Sequence, residues 1–333
     1  MEPTNRSNVS ILLVDPESQL RQGLRNALMA EGFRGVRDFS RLDRAEEEIR
    51  LTSPDLLVID AKMPEGDAAG MIRDIRNRKI GYNPFFSIIV TIWNPDPDEV
   101  RRIVDVGIDD LLIKPLAPAQ LLERIKTQVE NRKPFVVTSD YLGPDRRKQQ
   151  TPTEDEETDR AAGSEIPLID VPNTLRSKAL GEFIDPAALD ASIDSAMNDV
   201  NEQRLKRHSY QIAFLINLIV PAYTEGAVDP ATEVHLARLI EITDEVGERL
   251  AESSFEHVAD LCQTLIDVVQ SIRRDPQNPD PKDVELLGSL ANAVLVSFNP
   301  EKGSAAVAGE ITAMVRKFAA RAKADALRTA DTR

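Results

Sequence analysis

The chain has 333 residues, of which 29% are charged and 41% belong to the hydrophobic set, and its formal net charge is -15. This is globular composition, which excludes wholesale disorder, and the length suffices for two ordinary domains. So acidic a balance argues against nucleic acid and anionic membrane surfaces as partners.

A lone cysteine, Cys262, rules out an internal disulfide and suits a reducing compartment. The first residues, 1–8, are read as a tail without the apolar core of a signal peptide. The longest apolar stretch, Ile212 to Val220, is interrupted by Asn217 and is too short to span a bilayer. A soluble, cytoplasmic protein with no membrane insertion is expected.

From residue 9 to 132, short apolar runs alternate with helical patterns over 17–31, 41–51, 68–78, 97–107 and 118–131. The runs are continuous rather than alternating, as in a parallel sheet covered on both faces. Asp98 is read as the start of the fourth helix, Gly107 as its end, and Pro118 as first-turn residue of the fifth. Ile11-Leu12-Leu13-Val14 runs into Asp15, and Leu56-Leu57-Val58-Ile59 into Asp60. Ser87-Ile88-Ile89-Val90 runs into Thr91, and Leu111-Leu112-Ile113 into Lys114-Pro115. Two carboxylates, a hydroxyl and an ammonium therefore leave one predicted sheet at the edge where open α/β sheets bind ligands. A nucleophile, a metal ligand, a hydroxyl donor and a cation make a phosphoryl-handling set.

Asp15, Asp60-Ala61-Lys62-Met63-Pro64, Thr91 and Lys114-Pro115, in this order and spacing, resemble the receiver domain of two-component response regulators. The resemblance implies a doubly wound, flavodoxin-like (βα)5 fold and Asp60 as acceptor of a phosphoryl group from a histidine kinase or phosphotransfer protein. It implies Mg²⁺ held by Asp15, Asp60 and the backbone carbonyl of Lys62. Thr91 would donate its hydroxyl to one phosphoryl oxygen and Lys114 would pair with another, and the Lys114-Pro115 bond is expected to be cis. Such a domain phosphorylates itself and turns over no external substrate, so the protein is not read as an enzyme.

Three positions depart from the family pattern. Pro16 stands where a second acid is usual, which leaves the pocket a carboxylate short, with Glu17 the next acid and a further candidate ligand. Ile92, after Thr91, replaces a small residue and is expected to crowd the approach to Asp60. Leu111 replaces an aromatic switch residue, which weakens the usual output route. Trp93, the only tryptophan, follows in the loop after Thr91.

Residues 133–182 are read as a largely flexible linker, rich in polar residues and carrying the charge run Glu154-Asp155-Glu156-Glu157. Within it, Phe135 to Arg147 forms one extended, turn-ended piece that resembles a tail found after receiver or sensor modules in some bacterial signalling proteins. Residues 183–327 carry helical periodicity, with Asp185-Pro186, Asp229-Pro230 and Asp280-Pro281 as cap-and-proline starts and Ser254 as a fourth. An all-α bundle of about four or five helices is expected as a protein-interaction output domain, followed by a tail, 328–333. The apolar segment Tyr210 to Val220 suits a helix buried in the bundle or in a homodimer seam.

The histidines, His208, His235 and His257, all fall on these helices. Arg238 lies three residues after His235, as a phosphotransfer helix requires, but Leu239 stands where glycine should be. Asp260 follows His257 at the position of that cation. The basic clusters Arg146-Arg147-Lys148 and Arg204-Lys206-Arg207 are too short for DNA binding, and Arg316, Lys317, Arg321 and Lys323 read as a solvated helix end. The leading reading is a response regulator signalling to a downstream protein. The rivals are a pseudo-receiver scaffold that takes no phosphate and a phosphotransfer protein that uses a helical histidine.

Overall fold

The structure, a computed structural model, describes residues 6–146, 167–250, 255 and 258–299. The described residues fall into two compact units: 6–146 with 167–197, and those from 198 onwards.

In the first unit, strands β1 Ser10–Val14, β2 Gly35–Phe39, β3 Leu56–Asp60, β4 Ser87–Ile92 and β5 Asp110–Ile113 alternate with helices. These are α1 Ser18–Ala30, α2 Leu42–Leu51, α3 Ala68–Arg76, α4 Pro97–Val104 and α5 Pro118–Asn131. All five strands pair in parallel in the order β2-β1-β3-β4-β5, the flavodoxin-like winding. Successive residues of a strand face opposite ways, so each apolar run fills two cores. Leu12, Val14, Leu57, Ile59, Ile88 and Val90 join Ile49 of α2, Ile72 and Ile75 of α3 and Ile103 of α4. Ile11, Leu13, Leu56, Val58 and Ile89 join Leu24 and Leu28 of α1 and Leu121 and Ile125 of α5. Each such Leu or Ile contributes about 1.5–3 kcal/mol on burial, which makes the central strands the anchor of the sheet edge.

Two details differ from expectation. Strand β2 was not among the predicted runs: Gly35-Val36-Arg37-Asp38-Phe39 is an edge strand that buries only Val36 fully, so its pattern carries charges. Helix α4 is capped two residues earlier than expected, by the Asp96 carboxylate, which accepts from the N–H groups of Asp98 and Glu99, with Pro97 in the first turn.

The predicted linker, 133–182, is largely built structure where it is described. Strands β6 Phe135–Val137, β7 Leu142–Pro144 and β8 Leu168–Ile169 form a small antiparallel sheet, β7-β6-β8, and helix α6 Thr174–Ala179 follows. Residues 147–166, which include the acidic run, lie outside the described residues. The hairpin closes on Gly107, whose φ of +87° suits glycine and whose Cβ, if present, would overlap the Leu142 carbonyl. Beside it, Arg76, 2% exposed, donates to the carbonyls of Gly107 (2.8 Å), Phe86 (3.0 Å) and Pro84, and to Asp109 Oδ2 at 2.9 Å. Arg132 Nε meets the other Asp109 oxygen at 2.7 Å, and both guanidinium groups lie over the Phe135 ring. Burial pulls the Arg76 pKa down to about 10, still well above neutrality. Helix α6 adds Leu175 and Ala179 to the core shared with α1 and α5, and Lys178 Nζ pairs with buried Asp55 at 2.9 Å. Short elements like these depend on tertiary partners, which composition does not display.

The second unit is helical. Helices α7 Pro186–Thr224 (from residue 198), α8 Pro230–Leu250, α9 Ala259–Arg274 and α10 Pro281–Phe298 enclose one apolar core. Three of the four begin at the predicted prolines; Ser254 lies outside the described residues. Ile212, Ile216 and Ile219 of α7 pack with Leu236 and Val246 of α8, Leu265 and Val269 of α9, and Leu287 and Val294 of α10. The apolar segment 210–220 is thus used mainly inside the bundle. Among the described residues, no helix is long and apolar enough to cross a membrane.

Candidate functional site

Strand register brings the four predicted side chains to one place. Val14 pairs with Ile59, Asp60 with Thr91, and Ile92 with Ile113, so Asp15 and Lys114 leave the sheet beside Asp60 and Thr91. Lys114 Nζ lies 2.5 Å from Asp15 Oδ2 and also donates to Asp60 Oδ2. The second oxygen of each carboxylate accepts from a backbone N–H two residues on: Glu17 to Asp15 Oδ1 at 2.8 Å, Lys62 to Asp60 Oδ1 at 2.6 Å. Thr91 is buried beside them, its Oγ1 3.5 Å from the Ile59 carbonyl. The Lys114-Pro115 bond is cis, as the resemblance implied.

The electrostatics follow from burial. Desolvation pushes the Asp15 carboxyl above its ordinary value, against the pull of Lys114 and the Glu17 N–H. Desolvation also works against the Lys114 charge, but its hydrogen bonds to Asp15 and Asp60 outweigh it and the ammonium is held more firmly than usual. Two carboxylates share one ammonium, so with both acids ionised the triad carries one net negative charge. A buried group of that kind favours an incoming cation.

Mg²⁺ commonly takes one or two protein carboxylates and keeps several waters. Asp15 and Asp60 meet that minimum, so the residues fit the ion the resemblance implies. Pro16 is exposed and supplies no ligand, and Glu17 is exposed with its backbone, not its side chain, bonded into the site. Among the described residues there is no group of three or more His, Cys, Asp or Glu side chains that could hold a metal.

The three departures take definite positions. Ile92 is fully buried in the same apolar cluster as Ile59, Ala61 and Val90, so its branched chain is spent in the core rather than standing at the rim. Leu111 packs, partly buried, against that cluster. Trp93 is 44% exposed, and its ring centroid is 5.7 Å from Lys114 Nζ, a cation–π contact that sequence reasoning did not anticipate. Lys62 extends outward to Glu99 of α4 at 3.3 Å.

Sequence reasoning also missed Arg21. Its Nη1 donates to the Asp15 backbone carbonyl at 2.5 Å and its Nε to Asp38 Oδ2 at 3.2 Å. Arg21 lies four residues after Glu17, one helical turn on, but its partner sits on the unpredicted β2.

In the second unit His208 is 1% exposed, with Nδ1 3.2 Å from Gln211 Oε1 and Nε2 3.7 Å from Glu245. His235 is partly buried, and burial pulls its pKa below the ordinary value. His257 lies outside the described residues. Arg204 and Arg207 are buried and display no basic patch.

Residues 11–126 match the family model described as the response regulator receiver domain, and no family model covers the helical region. The KDP operon transcriptional regulatory protein KdpE of Escherichia coli (strain K12) is 31% identical over 117 residues, 35% of this chain and 49% of that protein. The phosphate regulon transcriptional regulatory protein PhoB of Rhizobium meliloti (strain 1021) is 32% identical over 130 residues, 39% of this chain and 56% of that one. This chain thus spans about half the length of the curated relatives it matches. Among solved structures, a response regulator from Thermotoga maritima matches at 27% identity with a TM-score of 0.32, over 36% of this chain and 95% of that chain. Residues 11–126 of this protein form a response regulator receiver domain.

Proposed function

We propose that Asp60 accepts a phosphoryl group from a histidine kinase or phosphotransfer protein and that the helical region passes the signal on as a protein-interaction domain. The observation that carries this reading is the convergence of Asp15, Asp60, Thr91 and Lys114. A carboxylate oxygen of Asp60 attacks the phosphorus of a phosphohistidine; the new O–P bond forms as the P–N bond breaks, and the imidazole of the donor departs. Lys114, already between the two carboxylates, moves with one phosphoryl oxygen, and the Thr91 hydroxyl donates to another. Asp15, Asp60 and the Lys62 carbonyl, with Glu17 a further candidate, would hold Mg²⁺, which would neutralise the phosphoryl oxygens when bound. The protein turns over no external substrate, and its place of action is the cytoplasm.

Pro16 favours a second reading, a pseudo-receiver scaffold that signals without phosphate, because Lys114 alone already satisfies two oxygens. The burial of His208 and Leu239 speaks against phosphotransfer by a helical histidine.

Trp93 separates the first two readings, since its ring lies over Lys114. Its fluorescence in the intact protein is expected to change on adding Mg²⁺ and beryllofluoride, and to stay flat in Asp60→Asn. Equal silence of both proteins would favour the scaffold.

A further inference from the structure

The pocket has a support that none of the predicted site residues provides. Asp15 follows the last residue of β1 and precedes Pro16, which has no N–H to donate, so the chain turns away from the sheet with one backbone donor missing. The Asp15 N–H is spent on the Phe39 carbonyl at the end of β2. Its carbonyl receives Arg21 Nη1, and the same guanidinium is fixed by Asp38 of β2 through Nε. Arg25 Nη1 takes the other Asp38 oxygen at 2.9 Å. Arg21 is only 14% exposed, whereas Arg25 is 46% exposed. The half-buried guanidinium therefore bridges the end of β1 to β2 from the first turn of α1. It grips the peptide whose carboxylate meets Lys114.

We infer that Arg21, oriented by Asp38, is a positioning residue for Asp15: it holds the Asp15-Pro16 peptide so that the carboxylate faces Asp60 and Lys114. A planar guanidinium suits the task because its forked donors can satisfy a carbonyl and a carboxylate at fixed angles, which an ammonium cannot do. The inference assigns a role to edge strand β2, which otherwise brings no side chain to the site. Its metal-dependent consequence rests on the proposed phosphorylation of Asp60; its metal-free consequence does not.

The Glu17 N–H donates to Asp15 Oδ1, so its hydrogen exchange reports how well that carboxylate is placed. In the full-length, metal-free protein, Arg21→Gln is expected to speed Glu17 amide exchange about tenfold, the loss of one charge-assisted hydrogen bond. Arg21→Lys should lie between, and Asp38→Asn should shift in the same direction. Arg25→Gln should leave Glu17 unchanged. The amides of Leu24 and Leu28 should keep their protection in every variant, which separates positioning from fraying of α1. Mg²⁺ titrations of the same proteins should show weaker binding in Arg21→Gln by a similar factor. Unchanged Glu17 exchange in Arg21→Gln, or an equal effect of Arg25→Gln, would overturn the inference. A shifted Glu17 amide with no Mg²⁺ or beryllofluoride response in the parent protein would leave the positioning intact and remove the phosphorylation reading.

Discussion

Lys114 and Asp15 stand 99 residues apart in the chain and 2.5 Å apart in space, with Asp60 on the same ammonium. The internal cation occupies the gap between two carboxylates that a divalent ion would also seek, so the two compete. Replacing Lys114 by Met is expected to tighten Mg²⁺ binding, read by calorimetry, because the rival charge is gone. In metal-free buffer the same variant should lose about 3 kcal/mol of unfolding free energy, since two acids face each other unpaired. Weaker Mg²⁺ binding would show that the ammonium helps to build the ion's site.

Arg76 sits in the core at 2% exposure with four hydrogen bonds, one of them to Asp109. Arg76→Met leaves the Asp109 charge and the Gly107 and Pro84 carbonyls short of a donor, although Arg132 still pairs with Asp109 and donates to the Phe86 carbonyl. A loss of about 3–5 kcal/mol is expected in urea unfolding. A loss below about 1 kcal/mol would mean that Arg132 alone suffices.

Gly107→Ala introduces both a strained positive φ and a clash with Leu142. The hairpin of β6 and β7 should detach, which limited proteolysis near residues 138–141 would reveal as faster cleavage than in the parent protein. Unaltered cleavage would place the hairpin's anchorage elsewhere, at Arg76 and Phe135.

Cys262 is buried in the helical core, and desolvation pushes its thiol up to about 11. The fold therefore favours the neutral thiol. Its contribution to stability is complete below the ordinary value near 9.0 and is lost as pH rises through about 11. At pH 8, alkylation of the native protein should run at least about a hundredfold slower than in denaturant, because thiolate and access are both scarce. Comparable rates would show that the bundle opens readily.

How much of this could be read from the chain depends on what each residue answers to. Asp15, Asp60, Thr91 and Lys114 were legible because each closes an apolar run, and a buried parallel sheet must put such ends together. The three Asp-Pro pairs gave helix starts at Pro186, Pro230 and Pro281 for an equally local reason. Phe135 to Arg147 was legible as an extended, turn-ended piece and forms β6 and β7, but strands β2 and β8 and helix α6 were not, since each is short, charged or polar and held by residues far away in sequence. Arg21 and Asp38 stayed hidden for the same reason: their meaning is a contact between α1 and an edge strand. Ile92 shows the opposite limit. Its position invited a role at the rim, yet its side chain fills the core, so Ile92→Ala is first a cavity mutation that should cost about 2–5 kcal/mol.

The most direct test of the central claim is the chemical nature of any phosphate the intact protein acquires. Incubated with Mg²⁺ and a phosphorylated histidine kinase, it should take up label that survives acid, is released by base and is absent from Asp60→Asn. Label that survives base and is released by acid, or that persists in Asp60→Asn, would contradict the account.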